Sequence, residues 1–188
     1  MSNDIQECDG YRAFEKILEP DARGVGIFQT TDLRNWQKYV DQRLKPSLSI
    51  PAEILVQIET VKNLFLYSWF VYRFGVVAKN QIYNVTELAL NKRFELEKMS
   101  LPNGLRGKLE KALAEEWFDD GSFPHLEGQR QCKEKSRVIV HAIASLRNDL
   151  NHGSTMLFDP LSLIELSQNS LAIIGVLFEN KCIVPHTV

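Results

Sequence analysis

The 188-residue chain has 44% hydrophobic and 24% charged residues, a composition that excludes a disordered chain and fits one globular domain with a substantial core. Its formal net charge of -2 excludes a global electrostatic attraction for nucleic acid. Any contact with RNA would therefore depend on a local basic patch and would weaken as the salt concentration rises.

The cysteines and the N-terminal segment indicate the cellular compartment in which the protein is expected. Cys8, Cys132 and Cys182 are widely spaced and form no C-x-x-C pair, which is typical of a reducing compartment. The N-terminal segment is polar and acidic and does not resemble a secretory signal. The most apolar window, residues 64–78, is too short to cross a bilayer. We expect a cytoplasmic protein that does not enter a membrane.

Residues 1–50 are predicted to form an N-terminal helical extension. Thr31 or Asp32 can cap a helix that runs to about Leu44, with apolar residues at helical spacing. We expect this helix to pack on the outside of the main bundle. The preceding G-V-G segment, residues 24–26, lacks the third glycine and the preceding strand of a dinucleotide fingerprint. The sequence therefore predicts no cofactor.

Residues 51–183 are predicted to form the main helical bundle, followed by a tail at residues 184–188. Pro51 begins a helical pattern that continues to about Glu97. Because that length exceeds a typical globular helix, we expect a break near residues 80–84.

The rest of the bundle is also helical. A turn at residues 100–104 precedes a helix that ends at residues 119–121, and Asp159 with Pro160 begins the last helix. No segment alternates convincingly enough to be a strand. The predicted fold class is all-α, an antiparallel bundle of four to six helices.

The helix between Gly128 and Gly153, called the motif helix below, ends in a cluster of polar side chains. Apolar residues at helical spacing define a seam that faces the core. A polar sector opposite this seam is formed by Arg147, Asn148, Asn151 and His152.

This polar sector has the chemistry to transform a phosphodiester. Arginine offers a planar fork of donors to phosphate oxygens, and histidine transfers protons near neutral pH. The amides of Asn148 and Asn151 can orient the substrate. Arg147 and His152 are separated by roughly 140° around the helix and about 7.5 Å along it. Either the helix loosens at its end, or the groups converge with those of a second subunit.

Residues 147–152, RNDLNH, resemble the R-x4-6-H motif of the HEPN superfamily. Residues 87–93, ELALNKR, resemble the E-x-x-L-x-x-R pattern in the early long helices of that superfamily. The resemblance spans residues 51–181. It implies a homodimeric bundle that acts as a metal-independent endoribonuclease on an RNA substrate, with Arg147 and His152 catalytic. The setting it implies is a toxin or phage-defence system, with a nucleotidyltransferase antitoxin as a possible partner.

Several assignments stay open at this level. Glu87 either orients Arg147 or a substrate group, or is a plain surface carboxylate. Four basic residues could steer an RNA backbone or simply form a solvated face: Arg130, Lys133, Lys135 and Arg137. The acidic residues near position 116 lack a partner motif, so no metal site is predicted. The alternative function is a non-catalytic module for assembly, partnering a nucleotidyltransferase or binding RNA or nucleotide.

Overall fold

Six α-helices and three short 3-10 turns form the regular structure of the described residues, which include no β-strand. The computed structural model describes residues 10–24, 26–28, 30, 32–123, 125, 130–151 and 158–179. The predicted all-α class is confirmed. In chain order the helices are α1 (Leu33–Arg43), α2 (Ala52–Tyr67), α3 (Phe74–Leu96), α4 (Gly104–Ala114), α5 (Glu134–Asn151) and α6 (Pro160–Phe178).

Helix α3 organises the core. It packs most extensively against α2 and α6, and it also contacts α4 and α5. Its buried residues include Ala78, Ile82, Ala89 and Phe94, which recur on the faces that meet these neighbours. Because several helices cover α3, polar residues on it can lie well inside the protein. This arrangement positions the candidate site.

Helix α1 contributes to the same core as the rest of the bundle. Asp32 caps the helix, accepting a hydrogen bond from the Arg34 amide at 2.9 Å. The Trp36 ring is fully buried, and its indole N–H donates to the Phe65 carbonyl at 3.0 Å. That carbonyl belongs to the last turn of α2, and it also accepts hydrogen bonds from the Ser68 hydroxyl at 2.6 Å and the Ser68 amide at 3.3 Å. The extension expected outside the bundle therefore places its largest side chain inside the core.

The break in the long helical pattern lies at residues 68–73, so the prediction of a break at residues 80–84 was wrong. Helix α3 runs through Asn80 and Asn84 without interruption. At the actual break, the Asp21 carboxylate accepts a hydrogen bond from the Tyr72 amide at 3.1 Å, and the Asp21 amide donates to the Trp69 carbonyl at 2.9 Å. The hydrogen bonds that stabilise this break come from Asp21, which is distant in the sequence, so the local sequence could not locate the break.

Asp21 is a buried anchor for this segment. Its carboxylate is only 2% exposed and pairs with Arg23 at 2.8 Å. Burial alone would raise the pKa of Asp21, but the hydrogen bonds from Arg23 and Tyr72 outweigh it and hold the pKa below its usual value. The charged form is therefore the one that fixes the bend.

We expect Asp21→Ala to lower the free energy of unfolding by about 3 kcal/mol, because it leaves buried donors without an acceptor. Urea denaturation measures this change. The control is Asp41→Ala, which removes an exposed carboxylate paired with Lys62 and should cost less than about 1 kcal/mol. Equal losses for the two variants would contradict the anchoring role of Asp21.

The motif helix is α5. It begins at Glu134, so the predicted start at Gly128 was wrong. The carboxylate of buried Asp120 accepts hydrogen bonds from the Ser136 amide at 2.7 Å, the Ser136 hydroxyl at 2.6 Å and the Lys135 amide at 3.1 Å. Before the helix, Gln131 has a positive φ of 65°. The helix therefore begins where Asp120 can cap it. Gly128 itself lies outside the described residues.

Helix α6 begins as predicted. Asp159 accepts a hydrogen bond from the Ser162 amide at 2.9 Å, and Pro160 occupies the first turn. Gly75 of α3 approaches this end closely, since a Cβ there would lie 3.4 Å from the Leu163 side chain. This is an ordinary van der Waals distance, so an alanine would also fit where the two helices pack together.

Helix α6 is also long and apolar enough to span a membrane, the single such helix among the described residues. In its most apolar window, 56% of the helix is buried inside the protein. The core helix of a globular protein can be as apolar as a membrane-spanning helix, because its apolar residues form the core. Helix α6 is covered in this way by α3 and its neighbours.

Candidate functional site

Arg147 lies near the end of α5, on the border between its apolar seam and its outer face. Ile139 and Ile143 of the seam are buried, and Leu146 packs against the core beside the arginine. The Arg147 side chain keeps 31% of its surface exposed. It is therefore held by the core on one side and accessible to an anion on the other.

Glu87 of α3 lies between two cations. Its Oε2 atom is 3.6 Å from Arg147 Nη2, and its Oε1 atom accepts a hydrogen bond from Lys108 Nζ at 2.6 Å. Lys108 belongs to α4 and is buried. We call these three residues the Glu87 cluster. It joins α3, α4 and α5 at one point.

The Glu87 cluster has a net positive charge, because one carboxylate lies between two cations. Lys108 satisfies Glu87 at short distance, so Arg147 is only loosely paired at 3.6 Å. A loosely paired guanidinium can still donate to a phosphate or carboxylate. The buried Nε atom of Arg147 has no hydrogen-bond partner. The geometry thus orients the arginine without neutralising it.

The other residues of the polar sector are described only in part. Asn148 is exposed on the turn that carries Arg147. Asn151 is the last residue of α5, but its side chain lies outside the described part of the structure. His152 and Gly153 also lie outside the described residues. The predicted relation between Arg147 and His152 therefore remains a prediction.

The E-x-x-L-x-x-R pattern divides its two charged ends between two tasks. Glu87 meets Arg147, whereas Arg93 donates a hydrogen bond to the Leu177 carbonyl in the last turn of α6. Arg93 also pairs with Glu97 at 3.0 Å and lies 5.1 Å from the Trp117 ring centroid. Arg93 thus secures the end of α6, and Glu87 is the member of the pattern that belongs to the candidate site.

The predicted basic set lies at the opposite end of α5 from Arg147. Lys133 precedes the helix and pairs with Glu116 at 3.1 Å, while Arg130, Lys135 and Arg137 are exposed. Lys135 is about 18 Å from Arg147 along the helix axis, at 1.5 Å per residue. These residues are therefore separate from the Glu87 cluster. An extended RNA strand would be needed to reach both.

The acidic residues near position 116 have structural partners. Asp120 caps α5, and Asp119 accepts a hydrogen bond from the Gln131 amide at 2.8 Å. Burial opposes ionisation of Asp120, but the hydrogen bonds from Ser136 and Lys135 prevail and lower its pKa. Within the described ranges, no group of His, Cys, Asp and Glu side chains is arranged to hold a metal ion.

The sequence interpretation missed Lys108. Its position in the sequence carried a signal, because Lys108 shares the apolar stripe of α4 with Leu105, Leu109 and Ala112. A lysine on a buried stripe needs a partner, and the available carboxylates include Glu87.

The chain matches no protein-family model, and it has no significant match among curated proteins or solved structures. The description of this protein therefore rests on its own structure. It is an all-α protein in which the Glu87 carboxylate orients a half-buried arginine at the point where three helices meet.

Proposed function

We propose that this protein is a metal-independent endoribonuclease of the HEPN type that acts as a homodimer in the cytoplasm. The observation that supports this function best is the contact between Glu87 and Arg147. These residues belong to the two segments that resemble the superfamily, and they are far apart in the sequence. Their convergence at one site is what a shared catalytic role requires.

In the proposed reaction, the ribose 2′-hydroxyl attacks the adjacent phosphorus and the 5′-oxygen leaves. His152 removes and returns protons, and Arg147 stabilises the negative charge on the phosphorane. Glu87 holds the guanidinium in place, while Asn148 and Asn151 position the phosphate. The products are a 2′,3′-cyclic phosphate and a 5′-hydroxyl. Each of these roles uses an ordinary property of the side chain.

The proposed homodimer is supported by the outer face of α5. Val138, His141, Ala142, Ser145 and Asp149 recur at helical spacing and are all exposed. Because this stripe lies beside Arg147, two copies packed through it would bring both motifs together. Such packing would also overcome the separation of Arg147 and His152 along one helix.

The test is RNA cleavage by purified protein in EDTA. We expect Arg147→Ala and His152→Ala each to slow cleavage by about 100-fold or more, because each removes a group that acts in the transition state. The products should carry cyclic phosphate. Equal cleavage by the wild type and both variants, or loss of the wild-type activity in EDTA, would overturn the proposal.

Two matched controls separate this effect from general damage. Arg106→Ala removes an exposed arginine that pairs with Glu110, and His125→Ala removes an exposed histidine that lies outside α5. Both should cleave RNA at the wild-type rate.

Val138→Glu should weaken the dimer and reduce cleavage at low protein concentration.

The second function is a non-catalytic module that assembles with a nucleotidyltransferase or binds RNA or nucleotide. The exposed stripe on α5 favours this function equally, since it offers a surface for another chain. The two functions differ in one measurement. A wild type that dimerises and binds RNA without cutting it would establish the module.

A further inference from the structure

Lys108 is a buried lysine that lies on the apolar stripe of α4. Its side chain is 9% exposed, and its Nζ atom donates to Glu87 Oε1 at 2.6 Å. An ammonium group that is removed from water needs a close anionic partner, because its lost hydration is otherwise uncompensated. Glu87 is therefore the partner that allows a lysine at this position.

The exposure of the Glu87 cluster increases from one member to the next. The side chains of Lys108, Glu87 and Arg147 are 9%, 22% and 31% exposed. The two cations consequently compete unequally for one carboxylate, because an ion pair is stronger where water is excluded. The distances from the carboxylate follow the same order. Lys108 lies at 2.6 Å, whereas Arg147 lies at 3.6 Å, which is too long for a hydrogen bond.

We propose that Lys108 is a positioning residue that keeps the Arg147 guanidinium available to a phosphate. By holding Glu87 Oε1, Lys108 prevents the carboxylate from turning both oxygens toward the guanidinium. A carboxylate and a guanidinium otherwise form two parallel hydrogen bonds, which would occupy the donors that a phosphate needs. This inference rests on the proposed function for the identity of the ligand, a phosphate group.

Methionine at position 108 separates the charge of the lysine from its packing. It has about the length of the lysine carbon chain and suits a stripe shared with Leu105 and Leu109. Lys108→Met leaves Arg147 as the remaining cation of the cluster. We expect Glu87 to pair with Arg147 through both oxygens in this variant, so that the arginine is no longer available.

The experiment is an NMR titration of the isotope-labelled full chain with inorganic phosphate, followed through the Arg147 Nε–H signal. The Nε atom is buried, so its proton should exchange slowly enough to be observed. The signal should disappear in Arg147→Lys, which assigns it. We expect the wild type to bind phosphate with a dissociation constant of roughly 10 mM, and Lys108→Met to bind at least about tenfold more weakly.

The double variant Lys108→Met, Glu87→Gln distinguishes positioning from general damage. Glutamine has no charge with which to hold the guanidinium, so phosphate binding should return to within about threefold of the wild type. The matched control is Lys111→Met, which removes a lysine of α4 that pairs with Glu115 at 2.6 Å. It should bind phosphate like the wild type. Urea denaturation checks that each variant is folded.

Glu87→Gln alone tests the competition even if Lys108→Met does not fold. It removes the competing carboxylate, so it should bind phosphate at least as tightly as the wild type. Four results would each overturn the inference: no phosphate binding by the wild type, unchanged binding by Lys108→Met, a loss that the double variant does not restore, or weaker binding by Glu87→Gln.

The RNA cleavage assay separates this inference from the proposed function. If the wild type cuts no RNA but phosphate binding follows the expected pattern, the ribonuclease proposal fails and the role of Lys108 is retained. If the wild type cuts RNA and Lys108→Met both cuts RNA and binds phosphate like the wild type, the role of Lys108 fails alone.

Discussion

Replacing Lys79 with methionine is expected to raise the free energy of unfolding by about 4 kcal/mol at pH 7 and by about 2 kcal/mol at pH 9. Burial lowers the pKa of Lys79 from its usual 10.5 to about 7. Between these two values the unfolded chain binds a proton at this position that the folded chain does not bind. The wild type therefore becomes more stable as the pH rises from 7 toward 10.5.

Methionine removes this dependence because it carries no proton and fills similar space among apolar neighbours. The advantage of the variant over the wild type should therefore shrink as the pH rises. Urea denaturation at pH 7, 8 and 9 measures the difference. Lys38→Met, at an exposed position, should follow the wild type at every pH. A stabilisation by Lys79→Met that does not change with pH would show that the charge of Lys79 is not its cause.

Asp120→Ala is expected to lower the free energy of unfolding by about 3 kcal/mol and to loosen the first turn of α5. The substitution leaves the Ser136 amide and hydroxyl and the Lys135 amide without their shared acceptor. Since the pKa of Asp120 is lowered, its contribution is fully present above the usual aspartate range. It is lost as the pH falls through the lowered pKa of the folded state.

Hydrogen exchange of the α5 amides, together with urea denaturation, measures this effect. Asp32→Ala is the matched comparison, because Asp32 caps α1 from an exposed position and should contribute about 1 kcal/mol. If amide exchange in α5 were unchanged in Asp120→Ala, the helix would not depend on its distant cap.

The helices could be predicted where the deciding residues are local. Asp32 caps the turn that follows it directly, and Asp159 with Pro160 does the same for α6. Apolar stripes such as Ile54, Ile58 and Val61 identify a buried face from spacing alone. In these places the sequence neighbours are also the structural neighbours.

The prediction failed where the partner comes from elsewhere in the chain. Asp21 satisfies the bend at residues 68–73, and Asp120 sets the beginning of α5. The candidate site behaves in the same way. The motif identified Arg147 and the early pattern identified Glu87. Only the packing of α4 against α3 brings Lys108 into contact with Glu87. Lys79 gave no signal, since a lysine in a helix is ordinarily exposed.

The anchoring of the bend by Asp21 has a consequence for the order in which the protein acquires its shape. Asp21 and Tyr72 are 51 residues apart, so their contact closes a long loop. During translation the N-terminal side emerges first. The Asp21 carboxylate is therefore already outside the ribosome when the Tyr72 amide emerges, so the contact can form as soon as Tyr72 has been synthesised. A circularly permuted chain that begins at residue 52 would reverse this order, and we expect it to refold from urea to the same structure but to aggregate more during synthesis.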